Sequence, residues 1–360
     1  CSQITPLPEH QVALSQTYPL QTQGNYQVLS WDNYVNDQQL INLVDLALVS
    51  NQDLKIASLR IHEAQAAYGI QRAELFPNIG GNAGMERNHV PADLSYVGRE
   101  MTTSQYSVGL GMNQWELDLW GRIRSLNEAA LQQFFAVESN VQAVRNSLIQ
   151  QTVLSYLTLS ELDKRIYFAQ RSVQQYEKSV RLFKRRYDVG ASSKVEYMQA
   201  KTMLSNGQAL VTQLEKSRAL TANYLVQLVG QPTSLHQTDL DQVTFKTGVL
   251  HTGLPSDLLL NRADIRASEA MLKSKHANIN AARAAFFPRI TLTGSLGTAS
   301  ADLDGLFKSG SSVWSFAPSI SVPIFTAGRL KNNLILAEVR KDIGVAEYEK
   351  TVQNAFREVY

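Results

Sequence analysis

The sequence has almost no cysteine, no long apolar run and no dominant charge, and each of these absences excludes a class of protein. One cysteine in 360 residues rules out a disulfide framework within the chain. No window holds about 18 consecutive apolar residues, so no transmembrane helix is expected, although strands that cross a membrane leave a weaker signal. Charged residues make up 18% of the chain and the net charge is +2, and no run of lysine or arginine suggests a nucleic-acid-binding stripe. We therefore expect no nucleic-acid partner.

The residue patterns of common catalytic and metal sites are also missing. The six histidines are scattered, and none forms an HExxH pair. The glycine-rich segment 80–85 lacks the GK[ST] of a phosphate-binding loop, and segment 302–305 lacks the closing glutamate of a calcium loop. No Ser-His-Asp or Cys-His set can be placed. We predict a protein that is not an enzyme and has no metal or cofactor.

The single cysteine is residue 1, and serine follows it. It suggests either an arbitrary sequence boundary or a bacterial lipoprotein whose signal peptide is cut before the cysteine. We favour the lipoprotein and expect a covalent lipid on Cys1, because several acyl chains make a durable anchor at about 0.8 kcal/mol for each buried CH₂. Ser2 resembles the sorting pattern for the Gram-negative outer membrane. Residues 1–35 are predicted to be a lipid-anchored, extended tether.

The chain repeats its own pattern once. The segment AELFPNI (73–79) returns as AAFFPRI (284–290), and LWGRI (119–123) returns as TAGRL (326–330). In each copy a Phe-Pro pair ends an amphipathic helix, two alternating segments follow, and a Gly-Arg pair precedes a long helix. The interval far exceeds that of a solenoid repeat. We infer duplication of a structural half: 36–250, ending in a linker, and 251–360.

Each half contains segments with apolar residues at every second position, which predict β-hairpins at about 80–115 and 289–325. A soluble sheet, alone or packed on helices, would also fit this alternation. We favour strands that face lipid, because they are roughly ten residues long and the opposite face is small and hydroxylic. Aromatic residues also cluster near strand ends, as in a membrane girdle. They are Trp115, Trp120, Trp314 and Phe325.

The number of strands bears on assembly. Two hairpins supply four strands, whereas a closed barrel needs about eight or more. An unpaired strand edge is not viable in lipid. Membrane-spanning strands therefore require oligomerisation, either as a dimer or as a trimer.

Residues 123–187 contain neither proline nor glycine and predict one very long helix. Apolar residues recur along it in alternating steps of three and four, as in a coiled coil. This seam comprises Leu159, Leu162, Ile166, Ala169, Val173, Tyr176, Val180, Phe183 and Tyr187. Gly190 can stop the helix, and Ser192 or Ser193 can cap the next one, with Glu196 completing a capping box.

These signals predict an antiparallel helical hairpin over 123–229 with its tip at Gly190. The returning helix has a less regular predicted seam: Leu210, Leu214, Ser217, Thr221, Tyr224 and Leu228. A soluble coiled-coil scaffold would also explain the hairpin. It would not explain Cys1, the duplication and the paired strands together.

In this order the motifs resemble the outer membrane factor family, the TolC-like exit ducts of tripartite efflux systems. The lipoprotein branch that serves resistance-nodulation-division drug pumps is most similar. The resemblance covers essentially the whole chain and rests on Cys1 and four segments. They are LPSDLLLNRADIRASE (254–269), ARAAFFPRI (282–290), PSISVPIFTAGR (318–329) and RRYDVGASSKVEYMQA (185–200). Ala263 departs from the family, which usually has proline after the arginine.

The resemblance implies a mainly α-helical fold with a transmembrane β part. Three chains would form a twelve-stranded β-barrel in the outer membrane that continues as a long α-helical barrel through the periplasm, with the linker in an equatorial position. Substrates would pass passively from an inner-membrane pump and a periplasmic adaptor protein to the exterior. The same duct could instead serve protein secretion or metal efflux.

The resemblance also implies roles for particular residues. The tip residues Val189, Gly190, Ala191 and Ser192 would dock the adaptor, and Glu196 would be an acid near the periplasmic entrance. The family has a second tip in its second repeat. Because the sequence stops at Tyr360, we expect the second half to be truncated.

Overall fold

A computed structural model of the chain describes residues 5–8, 31–235 and 261–359. Cys1, most of the predicted tether and most of the predicted linker lie outside the described residues. In the described part, no helix is both long and apolar enough to cross a membrane.

The described residues are mostly helical and contain one β-sheet. The helices are α1 (Gln38–Ser50), α2 (Gln52–Ala73), α3 (Arg122–Asp188), α4 (Lys194–Val229), α5 (Ala263–Ala284) and α6 (Arg329–Val359). The strands are β1 (Ile79–Val90), β2 (Met101–Glu116), β3 (Arg289–Ser300) and β4 (Ser312–Ser321). Short 3-10 helices lie at Trp31–Tyr34 and Leu303–Gly305.

The chain forms two compact units. One contains Ile61–Glu138 and Asp264–Glu358, together with residues 5–8. The other contains the described residues 31–60 and 139–235. The first unit carries the whole sheet, and the second carries the tip of the helical hairpin.

The sheet of the first unit follows the duplicated sequence pattern. Its strands are antiparallel in the order β1-β2-β3-β4, so each half contributes one hairpin. Helices α2 and α5 end four residues before Pro77 and Pro288, as expected of helices stopped by proline. The last strand ends at Ser321 rather than near residue 325, because Pro323 cannot donate to a ladder.

In the second unit, α1 packs on α3 and α4. The core contains Leu40, Val44, Leu159, Leu225 and Val229, all fully buried. Tyr156 lies in the same core, and its hydroxyl donates to the Asp37 carboxylate at 2.7 Å. That carboxylate also caps α1 by accepting from the N–H groups of residues 39 and 40.

The seam between α3 and α4 is partly as predicted. On α3 the first four predicted positions, Leu159 to Ala169, are buried, and burial decreases toward the tip. On α4 the prediction was wrong at two positions, since Leu210 and Tyr224 are exposed. Leu214, Thr221 and Leu228 were predicted correctly. The full set of inward positions is Ala200, Leu204, Gly207, Val211, Leu214, Arg218, Thr221, Leu225 and Leu228. Glycine and arginine in this list hide the seam from a search for apolar periodicity.

Candidate functional site

The tip of the helical hairpin is a tight turn closed by backbone hydrogen bonds. Helix α3 ends at Asp188, and Gly190 has a φ of 74°. The N–H of Ala191 donates to the carbonyl of Arg186 at 2.7 Å, and the N–H of Gly190 donates to that of Tyr187 at 3.0 Å. Together these bonds form a Schellman motif, whose left-handed position favours a residue without a Cβ. The prediction that Gly190 stops the helix is confirmed.

Helix α4 begins with the predicted capping box. The N–H of Glu196 donates to the Ser193 hydroxyl at 3.2 Å, and the N–H of Ser193 donates to the Glu196 carboxylate at 2.9 Å. The Ser192 hydroxyl donates to the same carboxylate. This bond first, and the Ser193 N–H second, hold the pKa of Glu196 below its ordinary value. The carboxylate is therefore engaged in the helix cap, and its role as an entrance acid stays a prediction.

Aromatic side chains brace the two helices just behind the turn. The rings of Tyr187 on α3 and Tyr197 on α4 stack with their centroids 6.0 Å apart. The ammonium group of Lys201 lies 5.9 Å from the centroid of the Tyr197 ring. Tyr187 was predicted as a seam residue, but Tyr197 was not. The sequence did contain a signal for this contact, because Tyr197 lies four residues after the capping Ser193 and so faces Tyr187 across the turn.

The tip presents apolar side chains to its surroundings. Val189 is 78% exposed, and Val195, Met198 and Met203 are exposed on the first turns of α4. The last three side chains line a shallow apolar groove. A Cβ added to Gly190 would meet no atom within 4 Å, so the space beyond the turn is open.

The structure thus brings the predicted docking residues into one turn. Val189, Gly190 and Ala191 are exposed and Ser192 is half-buried. The groove behind them was missed, because Val195 and Met198 have the helical spacing of ordinary core residues. Docking by these residues stays a prediction.

The sheet is a second candidate surface, and its two faces differ in chemistry. Side chains paired directly across a ladder share a face. The register sets Leu110 opposite Leu296, and Leu296 opposite Trp314, which forms one apolar row. Neighbouring rows on this face contain Tyr106, Val108, Met112, Phe316 and Ile320. The opposite face is small and polar, with the hydroxyls of Ser295 and Ser315 2.7 Å apart. The predicted alternation is confirmed in register across the strands.

The apolar face of the sheet is open. Trp314 is 76% exposed, and Leu296 and Ile320 are also more than half exposed. A contiguous apolar surface is unfavourable in water and marks a protein or membrane contact site. The face therefore fits the prediction of strands that contact lipid.

An ion-pair cluster ties the two halves of the chain together where the sheet meets the helices. The Glu116 carboxylate accepts two hydrogen bonds from the Arg122 guanidinium, at 2.8 and 2.7 Å, and pairs with Arg289 at 2.5 Å. Glu116 belongs to β2 and Arg289 begins β3, so the contact joins the first repeat to the second. A bidentate pair of this kind fixes geometry as well as charge.

The turn into α3 is held by a second carboxylate and a ring. Asp118 accepts from the N–H groups of Ile123 and Arg124 at 3.0 and 2.9 Å. Partial burial by itself would raise the pKa of Asp118, but these contacts together outweigh it and lower the pKa. The Trp120 indole stacks on Phe287 and donates to the Pro288 carbonyl at 2.7 Å. This ring was predicted as part of a membrane girdle; its observed contacts are to the second repeat.

The repeated Gly-Arg pair has a local structural reason. Gly121 and Gly328 have φ values of 82° and 81°, and a long helix starts at the next residue in each half. Within the described part of the chain, no group of three or more His, Cys, Asp or Glu side chains could hold a metal ion. The sites that the structure does define are an exposed helical tip with an apolar groove and a two-faced sheet.

Comparison with known proteins agrees with this arrangement. The profile of the family described as "Outer membrane efflux protein" matches residues 43–231 and 254–360. The solvent efflux pump outer membrane protein SrpC of Pseudomonas putida is 44% identical over 328 residues, covering 91% of this chain and 69% of SrpC. The outer membrane protein OprJ of Pseudomonas aeruginosa is 40% identical over 333 residues, covering 92% of this chain and 70% of OprJ.

Solved structures show the same fold. The open state of the MtrE outer membrane channel of Neisseria gonorrhoeae matches with a TM-score of 0.84 and 36% identity, covering all of this chain and 80% of MtrE. The CmeC outer membrane channel of Campylobacter jejuni matches with a TM-score of 0.88 and 27% identity, covering all of this chain and 78% of CmeC. The chain therefore belongs to the outer membrane efflux protein family and is an outer-membrane efflux channel.

Proposed function

We propose that three copies of this chain assemble into a passive exit duct, with the sheets joined edge to edge. The observation that carries this proposal is the sheet itself, which has an exposed apolar face, a small polar face and an outer strand on each side. An outer strand has a row of backbone groups without ladder partners, and in hydrocarbon each such group costs several kcal/mol. Pairing β4 of one copy with β1 of the next removes both edges. Three copies then give a closed sheet of twelve strands.

Cysteine cross-linking tests this pairing. In a Cys1→Ser background, Asn82→Cys on β1 is combined with Ser315→Cys or Ser319→Cys on β4; all three positions lie on the polar face. A disulfide within one chain is excluded, because three strand spacings separate β1 from β4 by about 14 Å. We expect covalent dimers and trimers from the double variants and none from the single variants. Monomers alone in both registers, from protein that is folded in the outer membrane, would contradict the proposal.

We further propose that the tip of the helical hairpin docks a periplasmic adaptor protein that couples the duct to an inner-membrane pump. The support is that Val189, Gly190, Ala191 and Ser192 form one turn in which apolar surface is exposed and open space lies beyond Gly190. Relatives are named for the efflux of solvents, toluene and antibiotics. Apolar organic compounds of that kind are the proposed substrates here.

A size series at Val189 tests docking without disturbing the turn. Gly190→Trp would confuse two effects, because a bulky residue at positive φ strains the backbone by about 1–2 kcal/mol. Val189→Trp adds the same bulk one residue away and leaves Gly190 in place. It should restore sensitivity to an exported antibiotic while heat-modifiable trimers persist, whereas the isosteric Val189→Thr should not. Full resistance in the Val189→Trp strain would refute docking at this turn.

The covalent lipid on Cys1 is also proposed. Cys1 is the single cysteine of the sequence, so radiolabelled palmitate incorporation has one acceptor to report on. The label should disappear in Cys1→Ser. Equal labelling of the two proteins would contradict the proposal.

A further inference from the structure

One side chain on α5 holds the backbone of Thr5, which lies far away in sequence. The N–H of Thr5 donates to Oδ1 of Asn280 at 3.3 Å, and Nδ2 of Asn280 donates to the carbonyl of Thr5 at 3.0 Å. A carboxamide has one acceptor and one donor side by side. Asn280 therefore pairs with both backbone groups of one residue, as a neighbouring strand would.

Two further side chains on the same helix face contact Thr5. Nε2 of His276 lies 2.8 Å from the Thr5 carbonyl, and Nη1 of Arg283 lies 3.5 Å from its hydroxyl. Since a carbonyl only accepts, the Nε2 atom of His276 must carry the proton. Spacings of four and three residues put His276, Asn280 and Arg283 on one side of α5.

The burial of Asn280 makes this contact more than incidental. Its side chain is only 4% exposed, and a buried carboxamide without partners is costly. The bound segment is also suited to docking. Pro6 and Pro8 restrict the chain to extended conformations and lack N–H groups, whereas Thr5 has a backbone N–H to donate.

We propose that His276, Asn280 and Arg283 form a binding site for the extended segment around Thr5, and that this site positions the chain's N-terminal residues at the end of α5, next to the start of β3. Cys1 is four residues from Thr5, so its Cα lies within about 14 Å of the site even at full extension. A lipid on Cys1 would thereby be held near the sheet. That last consequence rests on the proposed acylation, whereas the binding site does not.

Limited proteolysis of the full chain in detergent tests the site. Glu9 is the only glutamate among the first 62 residues, so a glutamate-specific protease reports release of the segment by removing residues 1–9. Asn280→Leu removes both hydrogen bonds and should speed this cleavage about tenfold, which corresponds to about 1.4 kcal/mol. The matched control is Asn278→Leu, the same change at an exposed position two residues away, and it should stay within about twofold of wild type.

A variant on the other partner separates docking from damage to α5. Thr5→Pro removes the donated N–H without touching the helix, and it should also speed cleavage. Unchanged cleavage in both Asn280→Leu and Thr5→Pro would overturn the proposal. Cys1→Ser should abolish palmitate labelling and leave the cleavage rate unchanged. If the wild-type protein incorporates no palmitate while the two variants still speed cleavage, the acylation is refuted and the binding site is not.

Discussion

The ion pair between Asp163 and Arg218 should hold the two long helices in register. Asp163 on α3 is 4% exposed and Arg218 on α4 is 28% exposed, and the guanidinium donates through Nε and Nη2, the latter at 3.3 Å. Arg218 occupies an inward position of the α4 seam. Removing the carboxylate by Asp163→Ala would leave a cation in the interface between the helices.

The size of the effect follows from burial. Removing one partner of a fully buried pair costs about 3–5 kcal/mol. Because the arginine is partly exposed, its freed guanidinium can reach water, and we expect a smaller cost of about 2–3 kcal/mol. For a unit of this size the unfolding midpoint should fall by about 10 °C. The double variant Asp163→Leu with Arg218→Met should return close to wild type, since an apolar pair of similar volume replaces a buried ion pair at little cost.

Thermal unfolding followed by circular dichroism at the helix band in detergent measures these shifts. The matched control is Asp188→Ala, which breaks the ion pair between Asp188 and Lys184. Both side chains of that pair are more than half exposed. Exposed pairs of this kind contribute little, so no measurable shift is expected. Equal midpoints for Asp163→Ala and Asp188→Ala would refute the reasoning, as would a double variant less stable than Asp163→Ala.

Three other predictions concern the sheet, the helical core and the tip. Gly297→Ala would place a Cβ 2.3 Å from the Val108 carbonyl oxygen and should destabilise the fold by about 3 kcal/mol. The loss should be seen as less folded protein in outer-membrane fractions. Gly294→Ala on the same strand should be tolerated, because the nearest atom to its added Cβ lies at 3.4 Å. Burial, aided by an acceptor carboxylate, raises the pKa of Tyr156, and Tyr156→Phe should lower stability by about 1.5 kcal/mol in thermal unfolding. The lowered pKa of Glu196 means that its cap contributes fully above the ordinary carboxyl pKa and is lost as pH falls through the folded value. Hydrogen exchange of the tip, corrected for intrinsic rates, should therefore accelerate in wild type as the pH falls below the ordinary carboxyl pKa, and this pH dependence should vanish in Glu196→Gln.

The helical tip could be predicted from sequence because its determinants are local. A glycine in the left-handed position and a serine three residues before a glutamate act within a few residues of one another. The α3 seam was equally visible, since its members are nearly all apolar. On α4 the pattern failed where inward positions are not apolar. Gly207 leaves room for the ring of Tyr176, whose nearest atom would lie 3.0 Å from an added Cβ, and Arg218 is inward because of Asp163.

The parts that sequence could not reveal join residues that are far apart. Glu116 and Arg289 are in different repeats, and Thr5 and Asn280 are separated by 275 residues. No periodicity links such partners, because each is a single polar residue whose environment exists only after folding. The residues of β1 do not alternate between apolar and polar as those of β2 do, for a related reason: the place of β1 beside β2 is set by pairing, from Ile79 opposite Met112 to Val90 opposite Met101.

The turn at Gly190 has a consequence for how any partner is recognised. The N–H groups of Val189, Gly190 and Ala191 all donate to carbonyls of the preceding helix. These three residues therefore have no free backbone donor for a binding partner. Recognition there must depend on shape and on apolar contact rather than on an added strand. Because the turn is already ordered, little conformational entropy remains to be lost on association. The tip should therefore bind a partner as a preformed rigid surface. Conservative changes in its side chains should be tolerated, whereas changes in its shape should not.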